Sequence, residues 1–282
     1  MEPSLLDAPG VLKKYGILPK KSLGQNFIIN QRALDDVISA ADLTGDEEII
    51  EIGAGFGTLT IELAQYAGRV FAVEIDKRLI PVLRDNLQDF ENVTLLHADF
   101  LHLDPGELVS HSGYYVVANI PYYITSSLLR HLIDSSIPPA RVVLTMQHEV
   151  AQRIISSPGD MSLLALSVQI YGRAMITARF PAECFYPVPD VDSAVLRIDI
   201  YEKPVVPREV IPAIFSLARA GFGQKRKKLR NSLARELSSS PEEVEKLLAQ
   251  AGIQPKSRAQ ELSIQDWGKV ARIAAEEDRL QR

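Results

Sequence analysis

Hydrophobic residues in the first two thirds of this chain come in short unbroken runs separated by stretches with helical spacing. The runs Glu48–Ile52, Arg69–Glu74, Val93–His97, Tyr115–Ala118 and Arg141–Met146 read as strands, because an apolar residue at nearly every position leaves no face for water. Between them, Thr58–Tyr66, Leu79–Leu87 and Ser126–Ile133 read as amphipathic helices. Ahead of the first strand, Asn30 is placed to cap a helix carrying Ala33, Leu34, Val37, Ile38 and Ala41 on one face. Buried strands alternating with helices predict a parallel sheet covered on both sides, with right-handed crossovers. Ligands of such sheets lie beyond the carboxyl ends of the strands.

From Met161 to Tyr201 the pattern changes. Ile176–Phe180 and Ala194–Ile200 read as strands joined through the proline-rich Phe185-Tyr186-Pro187-Val188-Pro189, and a link without an obvious helix predicts an antiparallel pair at the sheet edge. Lys203-Pro204-Val205-Val206-Pro207 interrupts the chain. Beyond it, Val210–Ala220, Lys227–Glu236, Pro241–Ala251 and Ile264–Glu276 read as helices. Ser240, Pro241, Glu242 and Glu243 stand in the order cap, first-turn proline and first-turn acids, and Gly252 falls where a C-terminal cap belongs. The expected organisation is an arm over 1–22, an α/β domain over 23–203 and an all-α domain over 208–282.

At 282 residues and 46% hydrophobic, the chain can bury one sizeable core and a smaller one. No apolar segment approaches the ~18–20 residues that span a bilayer, and the opening residues lack a basic stretch followed by an apolar one, so a cytoplasmic location is expected. The single cysteine, Cys184, excludes an internal disulfide. The five histidines show no ligand spacing, and His148-Glu149 is followed by Gln152 where a zinc-protease motif needs histidine, so no metal is expected. Thirty-one basic against 36 acidic residues give a net charge of −5. Any nucleic-acid contact must therefore be local. Positive charge gathers at Lys13, Lys14, Lys20 and Lys21, and again at Lys225, Arg226, Lys227, Lys228, Arg230 and Arg235.

Candidate chemistry sits at the ends of the strands. Glu51-Ile52-Gly53-Ala54-Gly55-Phe56-Gly57 closes the first strand directly before a helix, and glycines let the backbone turn tightly and approach a ligand closely. A dinucleotide fingerprint needs its third glycine at the sixth position, which is Thr58, and no P-loop lysine is present. The spacing thus disfavours NAD and favours a ligand without phosphates. Glu74 ends the second strand 21 residues after Gly53, a separation suited to gripping ribose hydroxyls. Asp99, after the third strand, can accept from an exocyclic amine, although Asp99 and Asp76 are equally suited to capping a turn. Asn119-Ile120-Pro121-Tyr122 follows the fourth. An amide, a proline carbonyl and a ring can hold a planar amino-bearing base by hydrogen bonds and stacking.

Gly53, Gly55, Gly57, Glu74 and Asp99 together resemble the S-adenosylmethionine (SAM) site of Rossmann-like methyltransferases, and Asn119 to Tyr122 resembles those that alkylate exocyclic amines of bases. With Leu23-Gly24-Gln25-Asn26-Phe27, Phe185 to Ala194 and Phe222 to Leu233, the chain is similar, from about residue 20 to about residue 270, to the ribosomal RNA adenine N6,N6-dimethyltransferases. The resemblance implies that Asn26, Ile28, Gly53, Glu74, Asp99 and Asn119 surround SAM. It implies that the target amine meets the Asn119 side chain and the Pro121 carbonyl, that Tyr122 stacks on the base, and that Phe185 is a second aromatic beside it. Tyr186 is less secure in that role, since it can simply pack the loop. The implied substrate is a pair of adjacent adenosines in a hairpin loop near the 3′ end of small-subunit rRNA, within a partly assembled subunit, with the protein a monomer and the basic run from Lys225 to Arg235 on RNA. Three readings compete with this one. The nearest is the large-subunit relative that methylates one adenosine; the others are a non-catalytic RNA-binding factor of the same fold and a nicotinamide dehydrogenase.

Overall fold

The computed structural model describes residues 6–120, 124–224 and 226–276. Contacts divide the chain into two units, one of residues 1–151 with 173–200 and one of 152–172 with 201–282.

In the first unit, strands β2 (Glu48–Ile52), β3 (Arg69–Glu74), β4 (Val93–His97), β5 (Tyr115–Asn119) and β6 (Arg141–Gln147) run parallel, as their unbroken apolar character predicts. Strand β9 (Ser193–Ile200) joins β6 antiparallel, and β7 (Gly172–Phe180) lies outside β9, so the order is β4, β3, β2, β5, β6, β9, β7. The chain builds outward from β2 through β3 to β4, then returns to the other side of β2 with β5. That reversal opens a crevice at the carboxyl ends of β2 and β5. Every residue of β2 is buried, including Glu48 and Glu51.

Helix α2 (Gln31–Ala41) covers the centre of the sheet because its buried Ala33, Leu34, Val37, Ala40 and Ala41 share one stripe. They pack with Ile49, Val117, Val143 and Val195 of four neighbouring strands. Each fully buried Leu, Ile or Val is worth ~1.5–3 kcal/mol against exposure. Asn30 caps α2 as expected, its side chain accepting from Ala33 N at 3.1 Å. Helices α3 (Thr58–Tyr66), α4 (Ile80–Leu87) and α5 (Thr125–Asp134) follow β2, β3 and β5. Gly57 enters α3 with φ of +87°, and an added Cβ would meet Leu83 Cδ2 at 3.3 Å, so the turn requires glycine twice over.

Two features depart from the pattern expected of the sequence. The N-terminal arm contains helix α1 (Ala8–Tyr15), capped by Asp7 and ended by left-handed Gly16, whose Val11 and Leu12 share a core cluster with Leu79, Val82 and Leu83 around α4. A two-residue strand β1 (Phe27–Ile28) pairs antiparallel with β8 (Phe185–Tyr186), joining the Leu23–Phe27 motif to the proline-rich loop.

The second unit is helical: α7 (Leu163–Gln169), α8 (Ile211–Phe222), α9 (Leu229–Ala234), α10 (Pro241–Gln250) and α11 (Ile264–Glu276), with α6 (His148–Ile154) leading into it. Residues 152–172, expected with the sheet, group here, because Met161, Ala165, Leu166 and Ile170 enter a core that holds Leu217, Leu233, Leu247 and Trp267. At Gly221 an added Cβ would stand 2.9 Å from the Trp267 ring, so α8 and α11 cross over a bare backbone. Ser240 caps α10 as expected, and with Glu243 it forms a capping box: Ser240 Oγ accepts from Glu243 N at 3.2 Å and Glu243 Oε2 from Ser240 N at 2.8 Å.

Candidate active site

The crevice predicted by the strand order holds a cavity of about 280 Å3, close to the lower end of small-molecule sites. The ends of β2, β3 and β5 and the turn after β4 supply Gly53, Gly55, Glu74, Asp99 and Asn119, and the segment before α2 supplies Gln25, Asn26 and Phe27. The expected Asn26, Gly53, Gly55, Glu74, Asp99 and Asn119 are therefore brought together. No lysine or arginine lines the cavity among the described residues, whereas Ile52, Val73, Ile75, Leu79, Ile120 and Leu128 supply apolar wall.

Glu74 is 4% exposed, and each of its oxygens already holds an amide: Oε2 accepts from Gly55 N at 2.9 Å and Oε1 from Asp76 N at 2.7 Å. Burial pushes its carboxyl above the ordinary range and the two amides oppose that rise. A carboxylate oxygen has a second lone pair, so both remain able to accept from vicinal hydroxyls. Gly53 and Gly55 have φ of +79° and +61°, and an added Cβ on Gly55 would press on the Phe27 ring at 3.3 Å. Phe27 itself stacks on Phe56, centroids 3.9 Å apart.

Asp99 caps the turn after β4 and also lines the cavity. It faces the cavity, and its Oδ1 accepts from Leu101 N at 3.1 Å while Oδ2 lies 3.1 Å from His102 Nδ1. Asn119 is fixed by its amide nitrogen, which donates to the Asn26 carbonyl at 2.8 Å. That bond leaves Oδ1 as an acceptor with no partner among the described residues. Pro121 and Tyr122 lie outside the described residues.

Three assigned residues stand elsewhere. Ile28 follows Phe27 in a strand, so it points to the other side and packs in the core with Ala33 and Phe185; Phe27 takes the place at the cavity. Gly57 shapes the turn into α3 and is absent from the wall. Phe185 is 1% exposed and packed near Phe180, centroids 6.4 Å apart, so its ring does not reach the cavity.

Gln25, Phe27 and Ile75 are wall residues that the motif pattern passed over. Their signal was position: Gln25 and Phe27 flank Asn26, and Ile75 follows Glu74. Behind the glycine turn, Glu51 is 1% exposed and its Oε2 has no hydrogen-bond partner among the described residues. Burial pushes its carboxyl up to about 8, and the charge of Glu74 adds to the rise. Glu51 is thus an acid carrying its proton at neutral pH.

In the second unit, Arg226, Lys227 and Lys228 are exposed in the turn between α8 and α9, and Arg235 is exposed just past α9. Helix α9 begins at Leu229, two residues later than its apolar pattern predicts. Arg230 is partly buried and pairs with Glu245 of α10, so it fastens two helices. Lys225 lies outside the described residues.

A glycine turn, two acids facing the cavity and, among the described residues, no basic group in its wall suit a cationic nucleoside without phosphates. The donor set fits SAM, and this sheet with that site defines a SAM-dependent methyltransferase. The family model for ribosomal RNA adenine dimethylase matches residues 18–276. The chain belongs to the ribosomal RNA adenine dimethylase family, and SAM is its methyl donor. Its relatives include the protein named ribosomal RNA small subunit methyltransferase A of Dehalococcoides mccartyi, 41% identical over 95% of this chain and 93% of that one. Among solved structures it is similar to the 23S rRNA methyltransferase ErmE, with 25% identity, a TM-score of 0.71, and 88% of this chain and 99% of that one covered. A dimethyladenosine transferase from Plasmodium falciparum shares the fold at 23% identity, with a TM-score of 0.74 over 86% and 95% of the two chains.

Proposed function

We propose that this enzyme dimethylates N6 of two adjacent adenosines in a hairpin loop near the 3′ end of small-subunit rRNA, acting as a cytoplasmic monomer on a partly assembled subunit. The observation that carries the reading is the fixed amide of Asn119, whose oxygen is left as an acceptor beside the cofactor cavity. Identity of 41% along nearly the whole chain to a small-subunit methyltransferase, against 25% to a large-subunit one, supports the choice of subunit.

SAM supplies a methyl group on a sulfonium, an excellent leaving group, so the protein's task is chiefly to position the amine in line with it. Glu74 would hold the ribose through the lone pairs that its two amides leave free. Asp99 would accept from the cofactor's adenine amine. Asn119 Oδ1 would accept one proton of the target amine and the Pro121 carbonyl the other, drawing the nitrogen lone pair out of the ring and towards the methyl carbon. Neither acceptor needs to be a strong base, because the amine becomes acidic once it is methylated. Unstacking the target base costs a few kcal/mol, least where it is already unpaired, and stacking on Tyr122 would return about 1–3 kcal/mol. Phe185, the buried first residue of β8, would act by supporting the proline-rich loop that follows it. The exposed Arg226, Lys227, Lys228 and Arg235, with Lys225, would neutralise phosphates.

The test is methylation of purified small subunits and of naked large-subunit RNA in parallel, with the products located by mass spectrometry. Dimethyladenosine at two adjacent positions in small-subunit rRNA is expected. Modification of large-subunit RNA alone would overturn the substrate assignment.

A further inference from the structure

Asp76 stands just past the end of β3, and its side chain is 1% exposed. A carboxylate so buried needs partners on both oxygens. Its own backbone N–H donates to Glu74 Oε1 at 2.7 Å, so the two acids share one turn. Its carboxylate accepts from Arg78 Nε at 2.9 Å and from Gln25 Nε2 at 2.9 Å. Both partners reach the arm that precedes α2. Arg78 Nη1 donates to the Leu18 carbonyl at 3.0 Å, and Gln25 Oε1 accepts from Lys20 N at 2.8 Å. The stretch Leu23 to Phe27 that these bonds hold down forms one wall of the cofactor cavity. The guanidinium of Arg78 keeps the Asp76 carboxyl down at about 2, so the assembly stays charged through the physiological range.

We propose that Asp76 and Arg78 are positioning residues for the methyl donor: acting through Gln25, they clasp residues 18–27 across the cofactor cavity and tie that closure to the carboxylate of Glu74. The inference rests on the assignment of this cavity to SAM. Neither residue lines the cavity, and neither touches the reacting atoms. Their effect is to fix the wall that Gln25, Asn26 and Phe27 present, and with it the Asn26 carbonyl that orients Asn119. Because each adenosine takes two methyl groups, spent donor must leave and fresh donor enter between transfers. A wall fastened at its edge by side chains can release there while the Phe27–Phe56 stack stays in place.

The experiment compares wild type, Asp76→Asn, Arg78→Ala, Arg78→Lys and Glu74→Ala in two measurements without RNA. One is the affinity for S-adenosylhomocysteine by calorimetry; the other is hydrogen exchange of the amides of residues 18–27 in the cofactor-free protein. Asp76→Asn and Arg78→Ala should weaken binding about tenfold, as expected for loss of a charge-assisted hydrogen bond. They should also speed exchange across 18–27 and, in a separate methylation assay at saturating RNA, raise KM for SAM much more than they lower kcat. Arg78→Lys, which keeps the charge and loses the fork, should fall between. If Glu74→Ala abolishes binding while both clasp variants bind normally, the clasp is refuted and the cavity assignment stands. If Glu74→Ala also binds normally, the cavity is not the donor site. Should Asp76→Asn fail to fold, the pair at Arg78, a partly exposed side chain, decides alone.

Discussion

The cofactor cavity and the basic turn of the helical unit hold their charges in opposite ways. Around the cavity, Glu74 and Asp76 are each at most 4% exposed and are held by neighbouring backbone and side chains. Between α8 and α9, Arg226, Lys227 and Lys228 are exposed to solvent, whereas Arg230 has been drawn into an ion pair. Buried polar groups act at short range and are hardly screened, whereas exposed charges act over about a Debye length, ~8 Å at physiological salt. The first arrangement suits fixing one atom against another; the second suits holding a flexible polyanion without fixing it.

That contrast can be broken experimentally, and the largest effect is expected at Asn119. Asn119→Ala should lower kcat on the order of 10²–10³-fold, the scale of removing one transition-state hydrogen bond. RNA affinity, measured by filter binding, should stay nearly intact; a parallel loss of affinity would show that Asn119 belongs to binding instead.

Glu51 comes next. Its folded pKa of about 8 stands above the ordinary 4.5, so the proton is held in the folded protein and lost in the unfolded chain across that interval. Stability from this group is therefore present below about 4.5 and is lost as pH rises through about 8. Glu51→Gln should remove that loss, gaining on wild type by up to a few kcal/mol at ~1.4 kcal/mol per unit as pH rises from about 5 to about 8. Denaturant melts at both values check this, and a pH-independent difference would mean that Glu51 is ionised when folded.

Reversing the charge of Arg226, Lys227 and Lys228 together should spare methyl transfer at saturating RNA. The slope of log affinity against log salt should flatten by about 2–3, near 0.7–0.9 per phosphate contact. An unchanged slope would remove this turn from the RNA surface. The smallest effect is expected at Arg230. Arg230→Ala should leave the salt slope as it is and lower the melting temperature by a few degrees, through loss of the link to Glu245 worth roughly 1 kcal/mol. A flatter salt slope with an unchanged melt would place Arg230 on the RNA after all.

The same contrast explains what is legible in the sequence. Parallel strands buried on both faces are written as unbroken apolar runs, and the groups they carry fall immediately after those runs. That is why Gly53, Glu74, Asp99 and Asn119 can be picked out from residue order alone. Ile28 and Phe185, which the family resemblance assigned to the site, do not line the cavity; residue order could not show this, because β1 and β8 are two residues long, too short to show alternation, and their facing depends on a pairing between distant segments. The membership of residues 152–172 is hidden for the same reason: Leu166 and Ile170 are apolar whichever core they enter. Arg230 looks like its basic neighbours until Glu245 is placed beside it.

The ribbon of β1 and β8 also has a consequence for the order of assembly. Phe27 meets Tyr186 across most of the first unit's sequence, so the strand ends that floor the cavity exist in the chain well before the segment that steadies its wall. Contacts between distant segments form late, since closing a long loop precedes any reward from the contact. A nascent chain that has emerged only as far as β6 holds the glycine turn and both acids of the pocket, yet lacks the strand that Phe27 leans on.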